Sequence, residues 1–261
     1  MISSLSNNKI KNLIKLQKKS KVREEQNAFV IEGIKMFYET PKDSIIEVYL
    51  SESFYHENEK SLGDIIKEYQ VEIVQDSIFK EVSDTTTPQG ILAVVKKPFY
   101  EFSTLSQQND ATVIILEELR DPGNLGTIIR TAEGAGVTGV ILSKSSVDIY
   151  NPKVIRSTMG SIYRMPFVYV EDIKSAILEM KRNNIQIYAA HLKGEKFYDE
   201  EVYQGKIGIL IGNEANGLTD ETAELSDCYV KIPMAGKVES LNAAIAASIL
   251  MYEVYSQKRV R

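Results

Sequence analysis

A chain of 261 residues has room for one large or two modest domains at roughly 150 residues each. With 43% hydrophobic and 26% charged residues, 15 Gly and 7 Pro, it has the composition of a folded globular protein and not of a fibrous or disordered one. The net charge of −5 weighs against a nucleic-acid partner, but residues 1–23 carry Lys9, Lys11, Lys15, Lys18, Lys19, Lys21 and Arg23 and no Asp or Glu, a basic N-terminal arm.

In the first hundred residues, apolar runs at 29–31, 45–50, 71–74 and 91–95 alternate with helix-like segments near 7–18, 57–69 and 77–82. This predicts a small α/β/α unit over 1–98. Residues 99–110, with Ser103, Ser106, Gln107, Gln108 and Asn109, have no periodicity and read as a linker. From 111 to 261, strands are expected at 112–116, 137–142, 167–170, 185–190, 207–211 and 229–232, with helical patterns between most of them. Their near-continuous apolar character suits strands buried on both faces of a parallel sheet. Residues 240–255 carry Leu241, Ile245, Ile249, Tyr252 and Val254 with four alanines and read as a closing helix. Apolar stretches such as 113–116 and 209–211 fall far short of the roughly 20 residues a bilayer span needs. The N-terminus lacks a secretory h-region, so a cytoplasmic protein without a membrane partner is expected.

A single cysteine, Cys228, and two histidines, His56 and His191, leave no basis for a structural zinc site, and no metal is expected. His56 lies in a charged stretch and reads as solvated surface, whereas His191, just past an apolar run, is a candidate site residue. Gly134-Ala135-Gly136-Val137-Thr138-Gly139 matches the letters G-x-G-x-x-G, and they are what motivates a dinucleotide oxidoreductase. The fingerprint must follow a strand and open a helix, whereas here a helix precedes and a strand follows, so these glycines are expected to end a helix and turn the chain.

Three segments lie just past expected strand ends, where open α/β sheets bind ligands. The first runs Asp121-Pro122-Gly123-Asn124 into a helix that also carries Arg130. The second, Gly212-Asn213-Glu214-Ala215-Asn216-Gly217, brackets one acidic residue with glycines. The third, Ile232 to Asn242, places Ser240 as an expected N-cap with Leu241 and Asn242 in the first helical turn. Taken singly, each is an ordinary turn or helix start. Together and in this order they resemble the three signature motifs of the SpoU (TrmH-type) RNA 2'-O-methyltransferases of the SPOUT class. Arg23 with Phe29-Val30-Ile31-Glu32-Gly33, and the run 86–94, resemble that family's L30e-like substrate-binding domain. Residues 151–161 resemble its middle segment, with Thr158-Met159 in place of a more usual Ser-Ala pair.

The resemblance implies an α/β fold with a trefoil knot in the C-terminal domain, S-adenosyl-L-methionine as cofactor, and a homodimer whose site draws on both subunits. It implies a functional set of Asn124, Arg130, Glu214, Ser240 and Asn242, with cofactor contacts at Ala190, Gly212, Ile232 and Leu241, and His191 nearby. The family also offers Arg130 as the base for the 2'-hydroxyl. A guanidinium pKa above about 12 favours a bidentate phosphate contact instead. The implied substrate is RNA, ribosomal ahead of transfer RNA, and a non-catalytic RNA-binding or ribosome-assembly factor is the alternative from another class.

Overall fold

The computed structural model of the protein describes residues 1–58 and 62–259. Its first elements are α1 (Asn8–Lys18), α2 (Ser20–Gln26), β1 (Ala28–Glu32), α3 (Ile34–Glu39), β2 (Ile45–Ser51), α4 (Glu52–Asn58), α5 (Gly63–Glu68), β3 (Val71–Val74), α6 (Asp76–Val82) and β4 (Ile91–Lys96). They are followed by β5 (Thr112–Leu116), α7 (Pro122–Gly134), β6 (Gly139–Ser143), α8 (Pro152–Thr158), β7 (Phe167–Val170), α9 (Ile173–Arg182), β8 (Gln186–Ala190), β9 (Lys196–Phe197), β10 (Ile207–Ile211), α10 (Asp220–Ala223), β11 (Cys228–Lys231) and α11 (Ala243–Arg259). Two compact units result: Met1–Phe99 with Asp148–Tyr163, and Tyr100–Val147 with Arg164–Arg261.

The first unit is built on a sheet ordered β1-β4-β2-β3, antiparallel except where β2 meets β3. The basic arm is not a free tail. Asn7 caps α1 by accepting from the Lys9 N–H (2.8 Å), and Ile10, Leu13 and Leu16 press into a core with Val30, Tyr49, Val74 and Leu92. Lys9 is ion-paired with Glu47 and Glu72. Arg23 is buried, donating to the Leu16 carbonyl (2.6 Å), the Gln17 carbonyl (3.0 Å) and Asp148 Oδ2 (2.9 and 2.5 Å). That arrangement gives the 148–163 segment its place in this unit, helped by Tyr150 packed on Phe29 with centroids 4.8 Å apart and by the Thr40–Tyr163 hydroxyl pair (2.8 Å). The single helix expected near 57–69 is instead α4 and α5, and its residues 59–61 lie outside the described residues.

In the second unit, seven strands pair wholly in parallel in the order β7-β6-β5-β10-β8-β11-β9. Every residue of β5, β6 and β10 is buried, as their unbroken apolar runs predict for strands covered on both faces. β9, two residues long at the sheet edge, leaves too short a signal to expect. Residues 99–110 are not a plain linker, because Phe102–Ser106 forms a 3-10 turn whose Leu105 is buried in this unit's core. The Gly134 to Gly139 segment ends α7 and turns into β6, with Gly136 at φ +67° and the Val137 N–H bonded back to the Ala132 carbonyl (2.9 Å). That context carries no dinucleotide loop. Among the described residues no helix is long and apolar enough to cross a membrane.

The chain leaves the sheet centre through β5, builds outward to β7, and returns to the other side through β8 and β10. The order therefore reverses at the β5/β10 junction, where open parallel sheets form ligand crevices beyond their strand ends. Removing the buried Arg23 guanidinium by Arg23→Ala should cost the protein about 3 kcal/mol, since two carbonyls and the half-buried Asp148 carboxylate lose their donor. Chemical denaturation measures this, with exposed Lys11→Ala expected to stay within about 0.5 kcal/mol of wild type.

Candidate active site

Parallel pairing aligns Leu116 at the end of β5 with Ile211 at the end of β10. The two following loops therefore emerge side by side. From β5 the chain passes through Glu118, held in the left-handed region at φ +51°, which costs a non-glycine residue of order 1–3 kcal/mol. The twist is held by its neighbours: the Glu118 N–H donates to Ser143 Oγ (2.8 Å), and its carbonyl accepts from Asn213 Nδ2 (2.8 Å). Asp121 then caps α7 through the Asn124 N–H (2.8 Å), with Pro122 at the first helical position.

Glu214, on the loop after β10, joins the two segments. Its carboxylate accepts from the Arg120 N–H (3.1 Å), the Asp121 N–H (2.9 Å) and Asn124 Nδ2 (3.0 Å). Asn124 Oδ1 accepts from Asn242 Nδ2 (2.9 Å), and Asn242 Oδ1 accepts from the Ala244 and Ile245 N–H groups (2.9 and 3.3 Å). Asn242 is therefore the N-cap of α11, correcting the expectation that Ser240 fills that role. The helix begins at Ala243, so the cap must be the residue just before it. One chain of hydrogen bonds thus links the three sequence motifs, with each amide held in a single orientation. Burial draws the Glu214 carboxyl upward, but the Asn124 amide and the backbone donors outweigh it and hold the carboxyl below its ordinary 4.5.

Beneath this chain lies a residue that the motif reading did not single out. Glu117 is buried and accepts from the Thr219 N–H (2.9 Å), Thr219 Oγ1 (2.9 Å) and Thr222 Oγ1 (2.5 Å). It clamps the far end of the β10 loop to β5. In the sequence, its only signal is an acidic residue directly after the apolar run 113–116. Gly212 supports the same loop: a Cβ there would stand 2.2 Å from the Gly217 carbonyl carbon and the Leu218 nitrogen. The structure thus requires this glycine for the loop's own closure.

Beyond β8, β10 and β11 opens a cleft with a volume of about 320 Å³. Ala190, Gly212, Ile232 and Leu241 all line it, as do His191, Glu214 and Ser240. Apolar wall comes from Leu192, Met234 and Ala246, and backbone from the strand ends. Its size falls in the range of small-ligand sites. The His191 ring lies 4.9 Å from that of Tyr229, and its Nδ1 accepts from the Lys193 N–H (3.1 Å), which leaves the proton on Nε2. Burial and the nearby Lys193 charge pull the imidazole below its usual value, so it is neutral at pH 7. Arg130 stands apart: it is exposed on α7, six residues past Asn124, and is not among the residues lining the cleft. His56 is exposed, as its charged surroundings suggest. Among the described residues no three His, Cys, Asp or Glu side chains are grouped to hold a metal ion.

Comparison with known proteins bears on what such a site does. A family model described as the SpoU rRNA Methylase family matches residues 111–252, and one described as the MRM3-like substrate binding domain matches residues 7–93. The 23S rRNA (guanosine(2553)-2'-O)-methyltransferase RlmP of Bacillus subtilis is 32% identical over 253 residues, covering 97% of this chain and 98% of that one. The AdoMet-bound rRNA methyltransferase of Sinorhizobium meliloti superposes with a TM-score of 0.85 at 28% identity, over 98% of this chain and 97% of that one. The SpoU methyltransferase AviRb of Streptomyces viridochromogenes, solved with AdoMet, shares the fold at 24% identity and TM-score 0.85, over 97% of this chain and 98% of that one.

Two outcomes follow from the two carboxylates. Glu117→Ala leaves the buried Thr222 hydroxyl and the Thr219 N–H without their acceptor and should lower unfolding free energy by about 3 kcal/mol in denaturant titrations. Because the Glu214 value is depressed on folding, its anchoring is complete above pH 4.5 and is lost as pH falls through the folded-state value. Hydrogen-exchange protection of the Arg120 and Asp121 amides should accordingly hold above pH 4.5 and decline below it. In Glu214→Gln it should be low and flat across that window.

Proposed function

The chain belongs to the SpoU rRNA methylase family, and we propose that within it this protein methylates a ribose 2'-hydroxyl of ribosomal RNA. It is an S-adenosylmethionine-dependent RNA 2'-O-methyltransferase. The ribosomal substrate is supported by the Bacillus subtilis relative, which acts on 23S rRNA. Transfer RNA is the second reading. The proposal carries with it a cytoplasmic place of work.

The observation that carries the catalytic reading is the Glu214–Asn124–Asn242 chain, which a protein kept only as an RNA-binding scaffold has no need to hold at a cleft rim. The cleft suits the cofactor, with its strand-end N–H and C=O groups beside apolar side chains. We assign Ala190, Gly212, Ile232 and Leu241 to holding it. S-Adenosylmethionine, when bound, supplies a methyl group on a sulfonium that is already a good leaving group. What the chain's own residues then contribute is position. Glu214 fixes the Asn124 amide and Asn124 fixes that of Asn242, so the second N–H of each amide is left to orient a ribose oxygen, with Ser240 beside them.

Arg130 has a fork suited to a backbone phosphate next to the target ribose. Its exposure, and its absence from the cleft lining, support a homodimer in which the arginine of one copy serves the cleft of the other. Arg130→Ala should abolish methylation of ribosomal RNA while calorimetric affinity for S-adenosylhomocysteine stays unchanged. Arg130→Lys should fail too, since a point charge does not reproduce the fork. Mixing Arg130→Ala with the cleft-filling Ala246→Phe, each inactive alone, should restore activity toward about a quarter of wild type, because half of randomly exchanged dimers are mixed and each has one intact site. No restoration would mean that the arginine acts within its own chain.

A further inference from the structure

The first unit carries a set of cations that neither its fold nor the methyl-transfer site uses. Of the seven in residues 1–23, Lys9 is neutralised by Glu47 and Glu72, and Arg23 is buried against Asp148. Lys11, Lys15, Lys18 and Lys19 are exposed, and among the described residues none of them has an ion pair. Lys21 stands 3.9 Å from Glu25. Elsewhere the exposed lysines either sit beside carboxylates, as Lys42 does with Glu68, Lys144 with Glu171 and Lys193 with Asp220, or stand apart from one another in the chain, as Lys35, Lys80, Lys153 and Lys237 do. Four bare ammonium groups in a chain of net charge −5 therefore concentrate positive potential where the molecule as a whole has little.

The helix orders them. At 100° per residue, Lys11, Lys15 and Lys18 fall within a sector about 60° wide and span roughly 10 Å along α1, on the side opposite Ile10, Leu13 and Leu16. Lys19 follows as the C-cap. The apolar face is consumed by the unit's own core, which removes the means by which a basic amphipathic helix would lie in a lipid surface. What remains is a rigid row of flexible cations, suited to a row of regularly spaced phosphates. The Asn12–Gln26 side-chain pair (3.1 and 2.7 Å) ties α1 to α2 and keeps that row in place.

We propose that Lys11, Lys15, Lys18 and Lys19 form a track that holds the phosphate backbone of the substrate RNA, binding it without reading its bases. This rests on the RNA methyltransferase reading above and gives its substrate a further anchoring surface. Phosphate contacts set affinity and register, and they release counterions. The track should therefore govern affinity and its salt dependence, and leave the chemical step unaltered.

The test is a quadruple variant, Lys11→Ala with Lys15→Ala, Lys18→Ala and Lys19→Ala, in the full-length protein; all four positions are exposed, so thermal melting should match wild type. Binding of ribosomal RNA fragments is measured from 50 to 200 mM salt, alongside calorimetry of S-adenosylhomocysteine and single-turnover methylation at saturating RNA. The expected result is weaker RNA binding, with the slope of log affinity against log salt reduced by about 3, at 0.7–0.9 per contact. Cofactor affinity and the single-turnover rate should be unchanged. An unchanged slope in a variant that still folds would overturn the track alone. A wild-type protein that neither binds nor methylates RNA would overturn both it and the function on which it rests. Tighter wild-type binding to anionic phosphatidylserine vesicles than to RNA, lost in the variant, would also overturn it by assigning the row to a membrane surface.

Discussion

The parallel pairing of β10 with β5 is the constraint on which the second unit's site depends. Their aligned ends, Leu116 and Ile211, put two loops that are almost a hundred residues apart in the chain next to one another. Each loop then supplies what the other lacks. The turn after β5 has free N–H groups at Arg120 and Asp121, and the loop after β10 has the Glu214 carboxylate to accept them. A slip of one residue in this register would separate donor from acceptor and turn each strand's buried side chains over. With both faces of β5 and β10 buried, such a slip has no stable alternative.

Two glutamates near this junction take different tasks because of their surroundings. Glu117 is enclosed and fully satisfied by threonine donors, and its work is to hold the β10 loop shut. Glu214 is exposed to the cleft, and its carboxylate is spread over donors that themselves belong to the site. The buried one guards stability. The exposed one controls the direction of the Asn124 and Asn242 amides, and through Asn242 the start of α11. Gly212 allows both, since no side chain fits between it and Gly217.

In the first unit, α1 divides its chemistry between two faces. Leucine and isoleucine hold the helix to the sheet, and lysines are left on the outside. The Arg23 guanidinium satisfies carbonyls at the end of α1 while engaging Asp148, so the 148–163 segment is secured by the same side chain that closes the helix. Breaking that pair would loosen both together.

Much of this was legible from local pattern. The strands 112–116 and 207–211 are where near-continuous apolar runs place them, because a strand buried on both faces has little room for polar side chains. Asp121, Pro122 and Asn124 marked the start of α7, since capping is a contact between near neighbours. Asn242 was also in view, but the choice between it and Ser240 as cap was not, because it depends on where α11 is stopped by its packing. Glu117 left only a trace, since its partners Thr219 and Thr222 lie a hundred residues further along and no local rule joins them. The basic arm shows the same limit: composition revealed seven cations, and only folding decided that Lys9 and Arg23 face carboxylates while four lysines face water. Composition and periodicity determine which apolar positions turn inward, for the gain on leaving water belongs to each apolar side chain. Which buried or charged groups meet is decided by sheet order and register, for those are properties of the whole chain.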